Sequence, residues 1–286
     1  MPVVGVNGIS INYEAHGGEG SAPLVLAHGY TASLEMWRAF LPALSARYRT
    51  VVYDTRGHGK SSAPAEMERY SLARDYVGDQ AALMDALGIE RAIVGGLSMG
   101  GMIAQEFALQ HPERVRALLL FDTGPGTGMA SDPSMRQRME QFRSMMAQMA
   151  RTKGMSAVVE LMRQSPMWAS RVAQNVPDAV RRHVEGMMTM SVDGYLGGAK
   201  AMQDWAGTVE RLHEIRVPTL VLVGEHDNLL RASRVIHERI AGSRFVLVRG
   251  AGHGTSMWRP EAFLRATLEF LDAVERGDEV GGECEV

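Results

Sequence analysis

"AIVGGLSMGGMIAQEFA", residues 92–108, is the stretch on which the fold turns. The apolar, branched run Ala92-Ile93-Val94 meets a turn where Ser98 stands among Gly95, Gly96, Gly100 and Gly101. A helix-like run, Met102 to Ala108, follows. Glycine inside an element lowers stability relative to alanine, so four of them around one hydroxyl signal an unusual backbone or a close neighbour. The pattern predicts a buried strand, a sharp turn and a helix. A plain Gly-rich turn with Ser98 capping the helix is the alternative, because a bare G-x-S-x-G is a weak signal in a chain with 31 glycines. Whether Ser98 has partners elsewhere in the chain decides between the two.

The same kind of run recurs outward in both directions. Leu24-Val25-Leu26-Ala27, Val51-Val52-Tyr53, Leu118-Leu119-Leu120-Phe121, Leu220-Val221-Leu222-Val223 and Phe245-Val246-Leu247-Val248 are short, apolar and separated by helix-like stretches. Buried parallel strands read this way, and the alternation implies βαβ units. "ISINYEA" alternates polar and apolar residues, as an antiparallel hairpin strand would. "SLARDYVGDQAALMDALG" starts on a capping serine and ends on Gly88, as a helix would. Between Gly124 and Thr208 the strand pattern stops, and this segment holds 13 of the 20 methionines. The predicted architecture is an α/β fold with a mostly parallel sheet and helices on both faces. Its core comprises residues 1–123 and 209–276, with a helical cap over 124–208. The polar tail 277–286, "GDEVGGECEV", is expected to be disordered.

Composition excludes several classes. The 286 residues carry 45% apolar and 22% charged side chains, ordinary for a soluble globular protein. A net charge of -3 and no basic block give nucleic acid or an anionic membrane nothing to attract. The lone cysteine, Cys284, precludes a disulfide framework or a cysteine metal site. The N-terminal "MPVVGVNGIS" lacks the basic and apolar regions of a signal peptide, and no apolar run is long enough to span a membrane. A cytoplasmic protein is expected.

In an open parallel sheet, ligands bind beyond the carboxyl ends of the strands. The residues that follow the runs there are His28-Gly29-Tyr30, Asp54, Ser98, Asp122, Glu225-His226-Asp227 and Gly250 to His253. A serine hydroxyl needs a base to act as a nucleophile. Of the nine histidines, His253 follows the last run and is flanked by glycines. A loop histidine that merely packs would look the same. His28 precedes the glycine of a possible oxyanion turn and is assigned a structural role, and His58 in "DTRGHGKS" a role in its own loop. No H-E-x-x-H spacing occurs, so no metal is expected. The base needs an acid to fix its tautomer. Asp227 lies 26 residues before His253 and could equally cap the helix that follows. Asp122 ends a strand too and is the competitor. The order Ser98, Asp227, His253 is the order that a nucleophile elbow requires. On that reading Asp122→Asn should leave activity near wild type.

With "HGYTAS" at 28–33, "DTRGHGKS" at 54–61, "GLSMG" at 96–100, "GEHD" and "GAGHG", the chain resembles the α/β-hydrolases from residue 8 to about 275. The resemblance implies a triad of Ser98, His253 and Asp227. It also implies an oxyanion hole from the backbone N–H groups of Tyr30 and Met99. Serine at 98 separates the chain from aspartate-nucleophile dehalogenases and epoxide hydrolases, and "HGYT" is not the HGGG turn of another esterase group. The chain is similar to the small esterases, enol-lactonases and cofactor-free perhydrolases, but has Trp258 where these often carry glutamate.

The implied activity is hydrolysis of a carboxylic ester or lactone through an acyl-enzyme, with no cofactor. C–C bond hydrolysis or perhydrolysis on the same fold is a second reading, and a non-catalytic ligand-binding relative a third. Nucleotide binding is disfavoured, because "GGLSMGG" lacks both G-x-G-x-x-G and G-K-[ST]. The cap methionines, with Trp168, Tyr195 and Trp205, suggest a flexible apolar lining suited to an uncharged small-molecule substrate. Arg163, Arg171, Arg181 and Arg182 are the cap cations that could argue otherwise.

Overall fold

The computed structural model describes residues 2–126, 133–164 and 177–286. The expected branched runs all become strands. Among the described residues the strands are β1 (Val3–Val6), β2 (Ile9–His16), β3 (Pro23–Ala27), β4 (Arg49–Tyr53), β5 (Ala92–Leu97), β6 (Val115–Phe121), β7 (Thr219–Gly224), β8 (Arg244–Val248) and β9 (Gly282–Glu285). They form one sheet in the order β1-β2-β4-β3-β5-β6-β7-β8-β9. β2 pairs antiparallel with both β1 and β4, and every pairing from β4 onward is parallel.

Helices α1 (Leu41–Ser45), α2 (Val77–Ala86) and α3 (Met99–Gln110) fall among the first strands. After β6 come α4 (Pro133–Arg163), α5 (Pro177–Thr189) and α6 (Val192–Gln203). The chain then adds α7 (Leu230–Arg239), α8 (Thr255–Trp258) and α9 (Pro260–Arg276). The central strands are buried on both sides, which explains their continuous apolar sequence. On one face Val25, Val94, Leu118 and Val221 pack with Leu83 of α2, Phe107 of α3 and Ile236 of α7. On the other, Leu24, Ile93, Leu119 and Leu220 pack with Leu44 of α1 and with Phe263 and Phe270 of α9. Strand periodicity of two sends neighbouring residues to opposite layers.

The tail is a correction. Instead of being disordered, residues 282–285 add β9 to the sheet edge, with Cys284 opposite Val246. An apolar run is not needed at this position. The open N–H and C=O groups of β8 supply the pairing, and Arg249–Glu285 and Arg234–Glu283 ion pairs hold the strand's carboxylates.

Within the segment between β6 and β7, α6 meets the loops after β3 and β4, through Tyr195 with Tyr30 and Gly194 with Gly57. α6 seats flush on the loop after β4, because a Cβ on Gly194 would overlap the Gly57 carbonyl. Of the residues expected to line a pocket, Tyr195 and Met146, Met155 and Met190 instead form a buried cluster within this segment. Trp205 is a second correction. It packs into the main core, and its indole N–H donates to Glu106 Oε1 of α3 at 2.7 Å. Arg181 is exposed and pairs with Glu185, whereas Trp168, Arg171 and the Arg182 side chain lie outside the described residues.

Candidate active site

Ser98 joins β5 to α3 with φ +54° and ψ -111°, a backbone that L-residues with a Cβ seldom adopt. Two contacts hold it there. Its N–H donates to the Phe121 carbonyl at the end of β6 (2.9 Å), and its own carbonyl accepts the Thr123 hydroxyl (2.8 Å). The flanking glycines now have a specific reason. A Cβ on Gly96 would lie 2.7 Å from the Ala27 carbonyl oxygen, and one on Gly100 would overlap the same group. The strand β3, the turn and the start of α3 therefore close tightly on one another. Met99 is the first residue of α3, so its N–H is among those at a helix N-terminus, where negative charge is favoured.

Asp227 and His253 come from the loops after β7 and β8. The His253 imidazole is about a quarter exposed, and its Nδ1 lies 3.0 Å from Asp227 Oδ2 and 3.2 Å from Oδ1. The Asp227 carboxylate is fully buried, and Oδ1 also accepts the Leu229 N–H at 2.8 Å. Asp227 thus supports the turn ahead of α7 and orients His253 together. Both oxygens face Nδ1, so Asp227 fixes the orientation of the ring.

Tyr30 follows Gly29 in the loop after β3. A Cβ on Gly29 would lie 3.6 Å from Ser98 Cβ, so this loop borders the serine directly. The next residue, Thr31, has φ +63°, strained for a β-branched side chain. The Tyr30 hydroxyl donates to the Tyr195 carbonyl at 2.6 Å, and the two rings stack at 5.5 Å. The loop is anchored from below as well. Thr55 N–H can only donate, so the His28 Nε2 it meets at 3.0 Å is the bare nitrogen. Nδ1–H then donates to the Gly29 carbonyl at 2.7 Å. Burial holds the His28 imidazole neutral, its pKa pushed down to about 4. His58 is likewise buried and depressed to about 3, and its Nδ1 meets the Arg56 carbonyl within its own loop.

Asp122 does not touch His253 through a hydrogen bond. It accepts from Thr255, two residues further on, through the backbone N–H (2.7 Å) and the hydroxyl (2.5 Å). Sequence reading names Asp122 only as a rival acid, and it misses Thr255 and the Tyr30–Tyr195 contact altogether. No local pattern marks either one. Trp258 donates its indole N–H to the His253 carbonyl at 3.2 Å and borders Gly252. Among the described residues no cluster of three or more His, Cys, Asp or Glu side chains could hold a metal ion, and no helix is long and apolar enough to cross a membrane.

Comparison with known proteins agrees with this architecture. A family model described as the alpha/beta hydrolase fold matches residues 22–260. The putative 2-succinyl-6-hydroxy-2,4-cyclohexadiene-1-carboxylate synthase of Bacillus subtilis is 30% identical over 94% of the chain and 97% of its own length. The 3-oxoadipate enol-lactonase 2 of Acinetobacter baylyi is 27% identical, with 90% and 91% covered. Among solved structures, the enol-lactonase of Burkholderia xenovorans LB400 superimposes with a TM-score of 0.81. It is 30% identical, with 95% of this chain and 100% of that one covered.

Proposed function

The chain belongs to the alpha/beta hydrolase family and is a hydrolase, and from that premise we propose that it cleaves a carboxylic ester or lactone through a serine acyl-enzyme. The observation that carries the reading is the Asp227–His253 contact at 3.0 Å, on the edge where Ser98 is held in a strained turn. His253 Nε2 takes the Ser98 proton as Oγ attacks the substrate carbonyl. The oxyanion accepts the backbone N–H groups of Tyr30 and Met99, which are set in place before the reaction. The imidazolium, faced by Asp227, returns its proton to the leaving alkoxide. Water then adds to the acyl-enzyme with His253 again as base, the acid leaves and Ser98 recovers its proton. For a lactone the leaving oxygen stays tethered to the acyl group.

Ester or lactone substrates also accord with the enol-lactonases among the relatives. An uncharged, moderately apolar substrate is favoured by the apolar setting of Tyr30, which packs against the methionine-rich cluster of the segment after β6. Two measurements test the proposal together. A fluorophosphonate should label the protein at Ser98, located by peptide mass, and should not label Ser98→Ala. A panel of p-nitrophenyl esters and simple lactones should be turned over, neutral acyl groups faster than anionic ones. Absence of both labelling and turnover would overturn the mechanism, and a preference for anionic esters would overturn the substrate class.

A further inference from the structure

We propose that Asp122 is a positioning residue for His253, its buried carboxylate clamping the histidine loop to the ends of β6 and β7. The proposal rests on the serine-hydrolase reading above. Asp122 has no exposed surface and a φ of +45°. Three donors converge on its two oxygens. Oδ1 accepts the Gly224 N–H at the end of β7 (3.2 Å) and the Thr255 hydroxyl (2.5 Å), and Oδ2 accepts the Thr255 N–H (2.7 Å). Its own N–H donates to the Leu222 carbonyl of β7 at 2.9 Å, and the preceding carbonyl, of Phe121, holds the Ser98 N–H. One dipeptide, Phe121–Asp122, therefore ties the nucleophile's backbone to the loop that carries its base.

Charge gives the residue a further effect that a neutral clamp would lack. The charged groups facing it are Asp227 and His253, from the loops after β7 and β8. Burial pushes the Asp122 carboxyl up to about 7, and the Asp227 charge pushes the same way. His253 and the Thr255 hydrogen bonds oppose both. Above about pH 7, where it is ionised, the carboxylate favours the imidazolium that forms during the reaction, alongside Asp227.

Asp122→Asn keeps the volume but removes the charge and leaves an amide N–H₂ where an acceptor is required. The sequence alone suggests near-wild-type activity for this substitution, whereas the clamp predicts a fall in kcat of about tenfold or more with KM within about twofold, since Asp122 is fully buried. The substitution removes a charge that wild type carries only above about pH 7, so the kcat deficit should be larger at about pH 8 than at about pH 6. Activity is expressed per active site, titrated with the fluorophosphonate. If wild type is neither labelled nor active, the hydrolase reading itself fails. If wild type is labelled and active, and Asp122→Asn keeps kcat within about twofold at both pH values, only this inference is overturned. Should Asp122→Asn not fold, Thr255→Ala cuts the hydroxyl contact from the other side. A lowered kcat at unchanged KM supports the clamp, and an unchanged kcat overturns it.

Discussion

Ser98→Gly should make the protein more stable than Ser98→Ala, although both lose turnover. The two variants delete the same hydroxyl and differ only in the Cβ. At φ +54° and ψ -111° that Cβ is the source of backbone strain, of order 1–3 kcal/mol for a residue held in a sparsely populated region. Alanine keeps the strain and glycine releases it. Glycine's greater freedom in the unfolded chain offsets about 0.4–1 kcal/mol of the gain. A net advantage of about 1–2 kcal/mol for glycine remains. With an unfolding entropy of about 2.1 cal/mol/K per residue over 286 residues, that difference corresponds to about 2–3 °C in Tm. Urea unfolding followed by circular dichroism, with equal m-values for the two variants, gives the free-energy difference directly. If Ser98→Gly is no more stable than Ser98→Ala, the turn is not strained and the flanking glycines need another explanation.

Asp227→Asn should lower kcat on a p-nitrophenyl ester by roughly 10⁴ while the protein stays folded, because the amide stabilises the wrong imidazole tautomer. Retention of a tenth of wild-type kcat would move the acid elsewhere. His28 and His58, depressed by burial to about 4 and about 3, should stay neutral well below the ordinary imidazole pKa in an NMR titration. Their unfolded forms take up protons first, so the stability they contribute is present above pH 6.5 and is lost as pH falls towards the folded values. The loss is about 2 kcal/mol for each at pH 5. Asp122, raised to about 7, acts with the opposite sign, adding stability as pH falls from 7 towards 4 and offsetting about one imidazole. A titration step near pH 6.5 for either histidine would show that it is hydrated.

The sequence by itself determined the sheet and the position of Ser98. Buried parallel strands must be apolar on both faces, and a close strand–turn–helix approach must shed side chains, so "AIVGGLSMGG" carries its geometry in its composition. The order of Asp227 and His253 was legible for the same reason, because both follow strand runs at one edge. Tertiary structure alone decided what depends on edges and on long-range partners. β9 forms because β8 offers unpaired backbone groups, which accept even "GECE". Trp205 belongs to the core because Glu106 of α3 receives its N–H. Which carboxylate meets the imidazole could be read only from the contacts themselves: Asp227 and Asp122 are both buried at strand ends, and one faces His253 while the other holds Thr255. Local pattern encodes burial and backbone shape, whereas the partner of a polar group is set by where the rest of the chain comes to lie.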